Sequence, residues 1–393
     1  MKTFPQIKQQ YDQNIITTYG RLPVAFVKGE GSRLWDSDGK AYIDFASGIG
    51  TNSIGHSHPA WTKAVSEQAA HLAHTSNLYY TAPGGELAER LCKISGMNTV
   101  FFANSGAESN EGLIKVARKY SRDKYGANRH TIITLNGSFH GRTMAALTAT
   151  GQDKFHNHFH PFVEGFRYVD AGDMSALESQ NDDVCALLIE TVQGEGGVVP
   201  LDKAYVQNAA KLCAKRDWLL LIDEVQTGIG RTGHWFGYQG LGVTPDAVSF
   251  AKGIAGGLPL GGFIVNEKLR NTLGPGDHGT TYGGNLICCA AALAVLDVLE
   301  AELPKIEEKG AYIRNKIEAM HFPQVEEIRG KGLMLGLKLK TVSPGEVNTN
   351  LLESGLVALT AGADILRFLP PLTISMEDID AGLEILAKEP LLH

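Results

Sequence analysis

The chain has 393 residues, 43% hydrophobic and 20% charged, which excludes an intrinsically disordered protein and allows two or so packed domains at roughly 100 to 200 residues each. Its 36 Lys and Arg against 43 Asp and Glu leave a net charge of −7, without the basic excess that a nucleic-acid surface needs. Five scattered cysteines (Cys92, Cys185, Cys213, Cys288 and Cys289) with no CxxC pair exclude a disulfide framework and suggest no zinc site.

Met1–Thr18 carries Gln, Asn, Asp and Lys where a secretory leader has an apolar core, and no later stretch stays apolar for the about 18 residues of a membrane span. A cytoplasmic protein with no membrane contact is therefore expected. Arg33–Asp36 and Ala41–Phe45 bracket Ser37-Asp38-Gly39-Lys40, a hairpin signal. A helix is predicted over Ala60–Ala73, with Pro59 in its first turn. From Val100 onward, apolar runs of strand length alternate with helical patterns, the signature of βαβ units and a mostly parallel sheet. The predicted strands are Val100–Ala103, Thr131–Leu135, Ala186–Glu190, Leu219–Asp223 and Ala247–Ala251, with helices over Ala107–Tyr125 and Ala204–Arg216. After helices Leu286–Glu302 and Lys305–Met320, the segment Val325–Lys340 reads as one further strand. The expected architecture is α/β: residues 1–55 form an N-terminal arm and part of a small domain, 56–300 a large domain with the central sheet, and 301–393 the rest of a smaller α+β domain.

Loops at the carboxyl ends of parallel strands build the ligand site of such sheets, and four of them here carry unusual polar residues. The apolar run Leu219–Ile222 delivers Asp223, either a turn acid or an anion held beside a cationic ring or a metal. Lys252 follows Ala247–Ala251; lysines are usually solvated, but a desolvated one has a lowered pKa and condenses with aldehydes. Because the two strands are successive, acid and amine can share a pocket. Asn104-Ser105-Gly106-Ala107-Glu108 joins a strand to a helix start, whose free N–H groups suit a phosphate as well as an ordinary cap. Gly279-Thr280-Thr281-Tyr282-Gly283 poses the same choice between phosphate loop and plain turn. Ser138-Phe139-His140-Gly141-Arg142 offers a face for a flat cofactor and a guanidinium fork for a carboxylate. Together these make an aldehyde-reactive lysine, a ring-nitrogen acid, a phosphate cradle and a stacking aromatic, the equipment that pyridoxal phosphate needs. Gly228-Ile229-Gly230-Arg231-Thr232-Gly233 matches G-x-G-x-x-G but neither starts at a strand end nor leads at once into a helix. It leaves a non-catalytic nucleotide-binding regulator as the remote alternative. His156, His158 and His160 have no carboxylate or cysteine at ligand spacing, so no metal is expected.

These motifs resemble those of the class III pyridoxal-phosphate aminotransferases along the whole chain. The resemblance is carried by Leu221-Ile222-Asp223-Glu224-Val225-Gln226-Thr227-Gly228, Ala251-Lys252-Gly253, Asn104–Glu108, Phe139–Thr143 and Arg367-Phe368-Leu369-Pro370-Pro371. It implies the type I aminotransferase fold and a homodimer whose sites lie at the subunit interface. It also implies transfer of a terminal amino group to 2-oxoglutarate, first of all from an N-acylated ornithine, with ornithine, 4-aminobutyrate or succinyldiaminopimelate as alternative donors. By position, Lys252 becomes the cofactor-bound amine and proton carrier, and Asp223 the partner of the ring nitrogen. Gly106 and Ala107 hold the phosphate, joined by Thr281 from the neighbouring subunit. Phe139 stacks on the ring and Gln226 lies near its phenolic oxygen. Arg142 and Thr280 meet the substrate, while Glu195 pairs with Arg367 and masks it until an α-carboxylate arrives. Thr191 and Gly262 depart from the usual Pro and Ala of the family.

Overall fold

The computed structural model describes residues 2–393; Met1 of the N-terminal segment lies outside them. A seven-stranded sheet runs in the order Thr99–Ala103, Gly261–Val265, Ala247–Phe250, Leu219–Asp223, Val184–Glu190, Thr131–Leu135, Phe166–Val169. All five predicted strands belong to it, with ends shifted by at most two residues. Val184–Glu190 and Leu219–Asp223 are buried along their whole length, which is why both read as unbroken apolar runs instead of alternating ones.

The sheet is mostly parallel, but Gly261–Val265 runs antiparallel to both neighbours. No strand is predicted there, because two glycines depress strand propensity. The glycines permit close approach: a Cβ on Gly262 would lie 2.2 Å from the Phe101 carbonyl oxygen. Helix Gly106–Tyr125 packs on this side of the sheet, burying Leu113, Ile114 and Ala117 with Phe263 and Val265. Gly112 is the point of contact, since a Cβ there would meet the Phe263 ring at 2.2 Å. Gly112→Ala is therefore expected to destabilise the fold by about 1–3 kcal/mol, overpacking outweighing the ~1 kcal/mol gain in helix propensity, as a fall in the urea midpoint. An unchanged midpoint would show that Phe263 has room to move.

The predicted hairpin forms, with Trp35 opposite Ala41, and Phe26–Glu30 extends it. Leu356–Val357 then joins the same sheet parallel to Ala41–Asp44, so the two ends of the chain share one layer. The single strand predicted over Val325–Lys340 is two antiparallel strands, Val325–Lys331 and Met334–Leu339. Gly330 at φ +112° and Gly332 at φ +54° adopt backbone angles that other residues rarely take, and the chain reverses there. Ile365–Phe368 pairs with the second of these strands and sets Arg367 opposite Gly336. Among the described residues no helix is long and apolar enough to cross a membrane.

Candidate active site

A cavity of about 440 Å³ opens at the carboxyl ends of the central strands, lined by Gly106, Phe139, Arg142, Asp223, Gln226 and Lys252 among others. Parallel register explains the convergence. Asp223 lies opposite Ser249 on one side and Glu190 on the other, and Lys252 follows three residues past Ser249. Lys252 takes φ +45°, a strained backbone for a side chain of this size.

Asp223 is 4% exposed and held on both oxygens. Oδ2 accepts from Asn110 Nδ2 at 2.6 Å and lies 2.8 Å from His140 Nδ1. Oδ1 accepts from the Val225 amide at 3.0 Å. Sequence reasoning gave Asn110, His140 and Glu190 no role. Asn110 stands one helical turn after Gly106, which puts both on one face, and that spacing was the available signal. Two atoms of this cluster, Asn110 Oδ1 and His140 Nε2, are buried without a partner among the described residues. Native proteins rarely leave such atoms unpaired, and here both belong to side chains lining the cavity.

The Lys252 amine has no hydrogen-bond or salt-bridge partner among the described residues. Burial is the main cause that lowers its pKa, and the Arg367 charge adds to it, against the pull of Glu195, Asp223 and Glu190. Ser105 caps helix Gly106–Tyr125 by accepting the Glu108 amide at 3.3 Å, leaving the Gly106 and Ala107 amides free at the positive end of a 20-residue helix. A Cβ on Gly106 would lie 2.6 Å from Val225 Cγ1, so glycine is required beside the loop that follows Asp223. Arg142 is exposed, its guanidinium 4.1 Å from the Phe155 ring centroid and 5.6 Å from that of Phe139, with no carboxylate partner among the described residues.

The expected pair forms. Arg367 Nη1 donates to Glu195 Oε1 at 2.6 Å and to Gln226 Oε1 at 3.1 Å. Arg367 is 2% exposed, so this is no surface ion pair. Burial pushes the Glu195 carboxyl up, but the charge and hydrogen bond of Arg367, with Lys252 and Gln226, hold it below the usual range. Thr280 and Thr281 do not join this cavity; they line a separate one with Asn77 and Phe101, and Thr281 is exposed. Thr191, next to Glu190, is buried with its hydroxyl unpaired. Gly228–Gly233 forms turns, and its Arg231 guanidinium bonds to the Leu333 and Pro370 carbonyls, which leaves no phosphate cradle there.

A free amine, a carboxylate held on both oxygens, unpaired helix N-terminal amides and a half-buried phenyl ring all face one cavity. They fit an aromatic aldehyde that carries a basic ring nitrogen and a phosphate.

Residues 16–389 match the family model for Aminotransferase class-III. The acetylornithine aminotransferase of Haemophilus ducreyi is 50% identical over 390 residues, covering 98% of each chain. That of Methanocaldococcus jannaschii is 44% identical, covering 92% of each. Among solved structures, the ornithine aminotransferase of Toxoplasma gondii superposes with a TM-score of 0.95 at 31% identity, covering 100% of this chain and 96% of that one. The acetylornithine aminotransferase of Elizabethkingia anophelis gives 0.88 at 31% identity with full coverage of both.

Proposed function

Because this chain belongs to the class III aminotransferases, a family that works with pyridoxal phosphate, we propose that it moves the terminal amino group of N-acetylornithine to 2-oxoglutarate. The products are N-acetylglutamate semialdehyde and glutamate, a step that serves arginine biosynthesis. The observation that carries the reading is the unpaired, desolvated Lys252 amine facing the same cavity as the Asp223–His140–Asn110 cluster.

When bound, pyridoxal phosphate supplies an aldehyde carbon and an electron-withdrawing ring that stabilises negative charge on the donor's carbon. Lys252 is the residue that would bind the aldehyde carbon, and its lowered pKa makes it a base able to take and return a proton there. Asp223 favours the protonated form of a nitrogen set against it. The Gly106 and Ala107 amides would hold its phosphate, Phe139 would stack on the ring, and Gln226 would meet its phenolic oxygen. Arg142, stacked on Phe155, presents its fork to the donor's distant carboxylate.

Arg367 governs which end of a donor reacts. With Glu195 paired to it, the cavity accepts a terminal amine whose own carboxylate lies far away at Arg142. Glutamate brings an α-carboxylate close to the ring and displaces Glu195 from the guanidinium. Glu195→Gln should therefore raise α-amine transfer from ornithine-type donors relative to terminal-amine transfer by roughly tenfold, the loss of one charge-assisted contact. Separate half-reactions with each donor measure the ratio, and an unchanged ratio rejects the gate while leaving the transaminase standing.

The homodimer remains part of the proposal, supported by Leu78, Tyr79, Tyr80 and Tyr282, which are 64% to 108% exposed. Their loops meet where Asn77 Nδ2 donates to the Thr280 and Gly283 carbonyls. A partner covering this surface would bring Thr280 and Thr281 to the other subunit's site. The shared layer formed by Ala41–Asp44 and Leu356–Val357 supports grouping 1–55 with 301–393 around the large unit 56–300. The chain's cytoplasmic location is proposed on the same footing as its biosynthetic role.

The test is a comparison of kcat/KM for acetylornithine, succinylornithine, ornithine, 4-aminobutyrate and succinyldiaminopimelate with 2-oxoglutarate. Acetylornithine should lead. The ornithine aminotransferase at TM-score 0.95 favours ornithine as the second reading, and a clear preference for ornithine would replace the first.

A further inference from the structure

Glu190 ends its strand in register with Asp223, is 5% exposed, and has no part in the chemistry above. Burial and the neighbouring Asp223 charge raise its pKa against two backbone amides and Lys252, so a carboxyl here is costly to keep. What offsets the cost is visible in its contacts. Oε2 accepts the Phe139 amide at 3.0 Å, and Oε1 accepts the Gly194 amide at 3.4 Å.

Those two amides belong to different parts of the site. Phe139 is the stacking ring. The Gly194 carbonyl accepts from Arg367 Nη1 at 3.3 Å, and the next residue, Glu195, is the ion-pair partner of that guanidinium. Gly194 also leaves no space for a side chain: a Cβ would lie 2.4 Å from Gln226 Oε1, itself an acceptor of Arg367. One carboxylate thus ties the strand end to the peptide that surrounds the arginine.

We propose that Glu190 is a positioning residue for α-carboxylate recognition, fixing the Gly194 peptide so that its carbonyl and Glu195 hold Arg367 in place, while its second oxygen fixes Phe139. The proposal rests on the transaminase reading and names the residue that sets the accuracy of its gate. Geometry makes glutamate specific here. Glutamine has one acceptor oxygen and one NH₂ donor, so it satisfies one amide and opposes the other.

The experiment is a double-mutant cycle, Glu190→Gln in the native holoenzyme and in the Arg367→Ala holoenzyme, read in the separate glutamate and acetylornithine half-reactions. In the native background, half-saturation for glutamate should rise about tenfold with a smaller change in the limiting rate, and the acetylornithine value should move less. In the Arg367→Ala background the glutamate effect should shrink below about twofold, because the residue acts through Arg367. In protein freed of cofactor, amide hydrogen exchange across residues 194–197 should rise on Glu190→Gln. An equal effect in both backgrounds, or unchanged exchange, overturns the proposal. Should Glu190→Gln fail to fold, Glu190→Asp keeps both acceptors at shorter reach and enters the same cycle with the same two outcomes. Absence of transamination by the unsubstituted protein would sink the proposed function instead, and the exchange measurement would still judge Glu190.

Discussion

Lys252→Ala is expected to reduce turnover with every amino donor by at least about 10⁴-fold, since one substitution removes both a nucleophilic amine and a positioned base. Among the described residues the cavity lining holds no second amine. Arg142 and Arg367 also stand near it, but a guanidinium stays protonated and can neither take a proton nor attack a carbon. The phosphate cradle and Phe139 are untouched by the change, so cofactor should still bind without covalent attachment. Borohydride reduction followed by mass spectrometry tests this apart from activity: cofactor mass should be fixed on Lys252 in the parent and on nothing in the variant. The substitution also removes a buried polar group that has no partner among the described residues, so thermal stability should hold or rise slightly. Turnover within tenfold of the parent's, in protein that folds normally, would remove Lys252 from the chemistry.

The parts of this site that the sequence shows best are the ones whose physics is local. Asp223 and Lys252 could be read because each ends a buried strand with an abrupt change from apolar to charged, and parallel neighbours bring such ends together. Gly106 and Ala107 could be read because a small-residue turn before a helix has one geometry. Glu195 and Arg367 lie 172 positions apart, and no local pattern joins them; only the family resemblance paired them before the structure did. Asn110, His140 and Glu190 escaped notice for a related reason. Each sits in an ordinary helix, loop or strand pattern, and its meaning comes from at least one contact 30 to 113 residues away in the chain. In the fold, what escaped was the glycine-bearing strand Gly261–Val265 and the reversal at Gly330–Gly332, where close backbone approach and positive φ override the hydrophobic pattern.

Asp223→Ala is expected to lower both half-reactions by about 10²- to 10³-fold, through loss of the carboxylate that favours a protonated ring nitrogen. Its effect should fall on rate more than on binding, because the phosphate, stacking and lysine contacts all remain. The surroundings make a second, independent outcome. Without Asp223, His140 Nδ1 and the Val225 amide lose their partner inside the protein, while Asn110 Nδ2 keeps the His140 carbonyl at 2.7 Å; each donor left unpaired costs about 1–3 kcal/mol if water does not enter. Opposing this, the charge that pushes up the Glu190 pKa disappears, so Glu190 ionises more easily. A raised carboxyl pKa means that the native state holds more protons than the unfolded chain, and stability then falls as pH rises through the folded value. Asp223→Ala should thus lose stability at acidic pH and recover part of it as pH rises, relative to the parent. Thermal unfolding of both proteins across pH, without cofactor, reads that crossing trend directly. Parallel curves would mean that Glu190 and Asp223 do not share charge, and a half-reaction rate within a few-fold of the parent's would mean that the acid has no part in activating the ring.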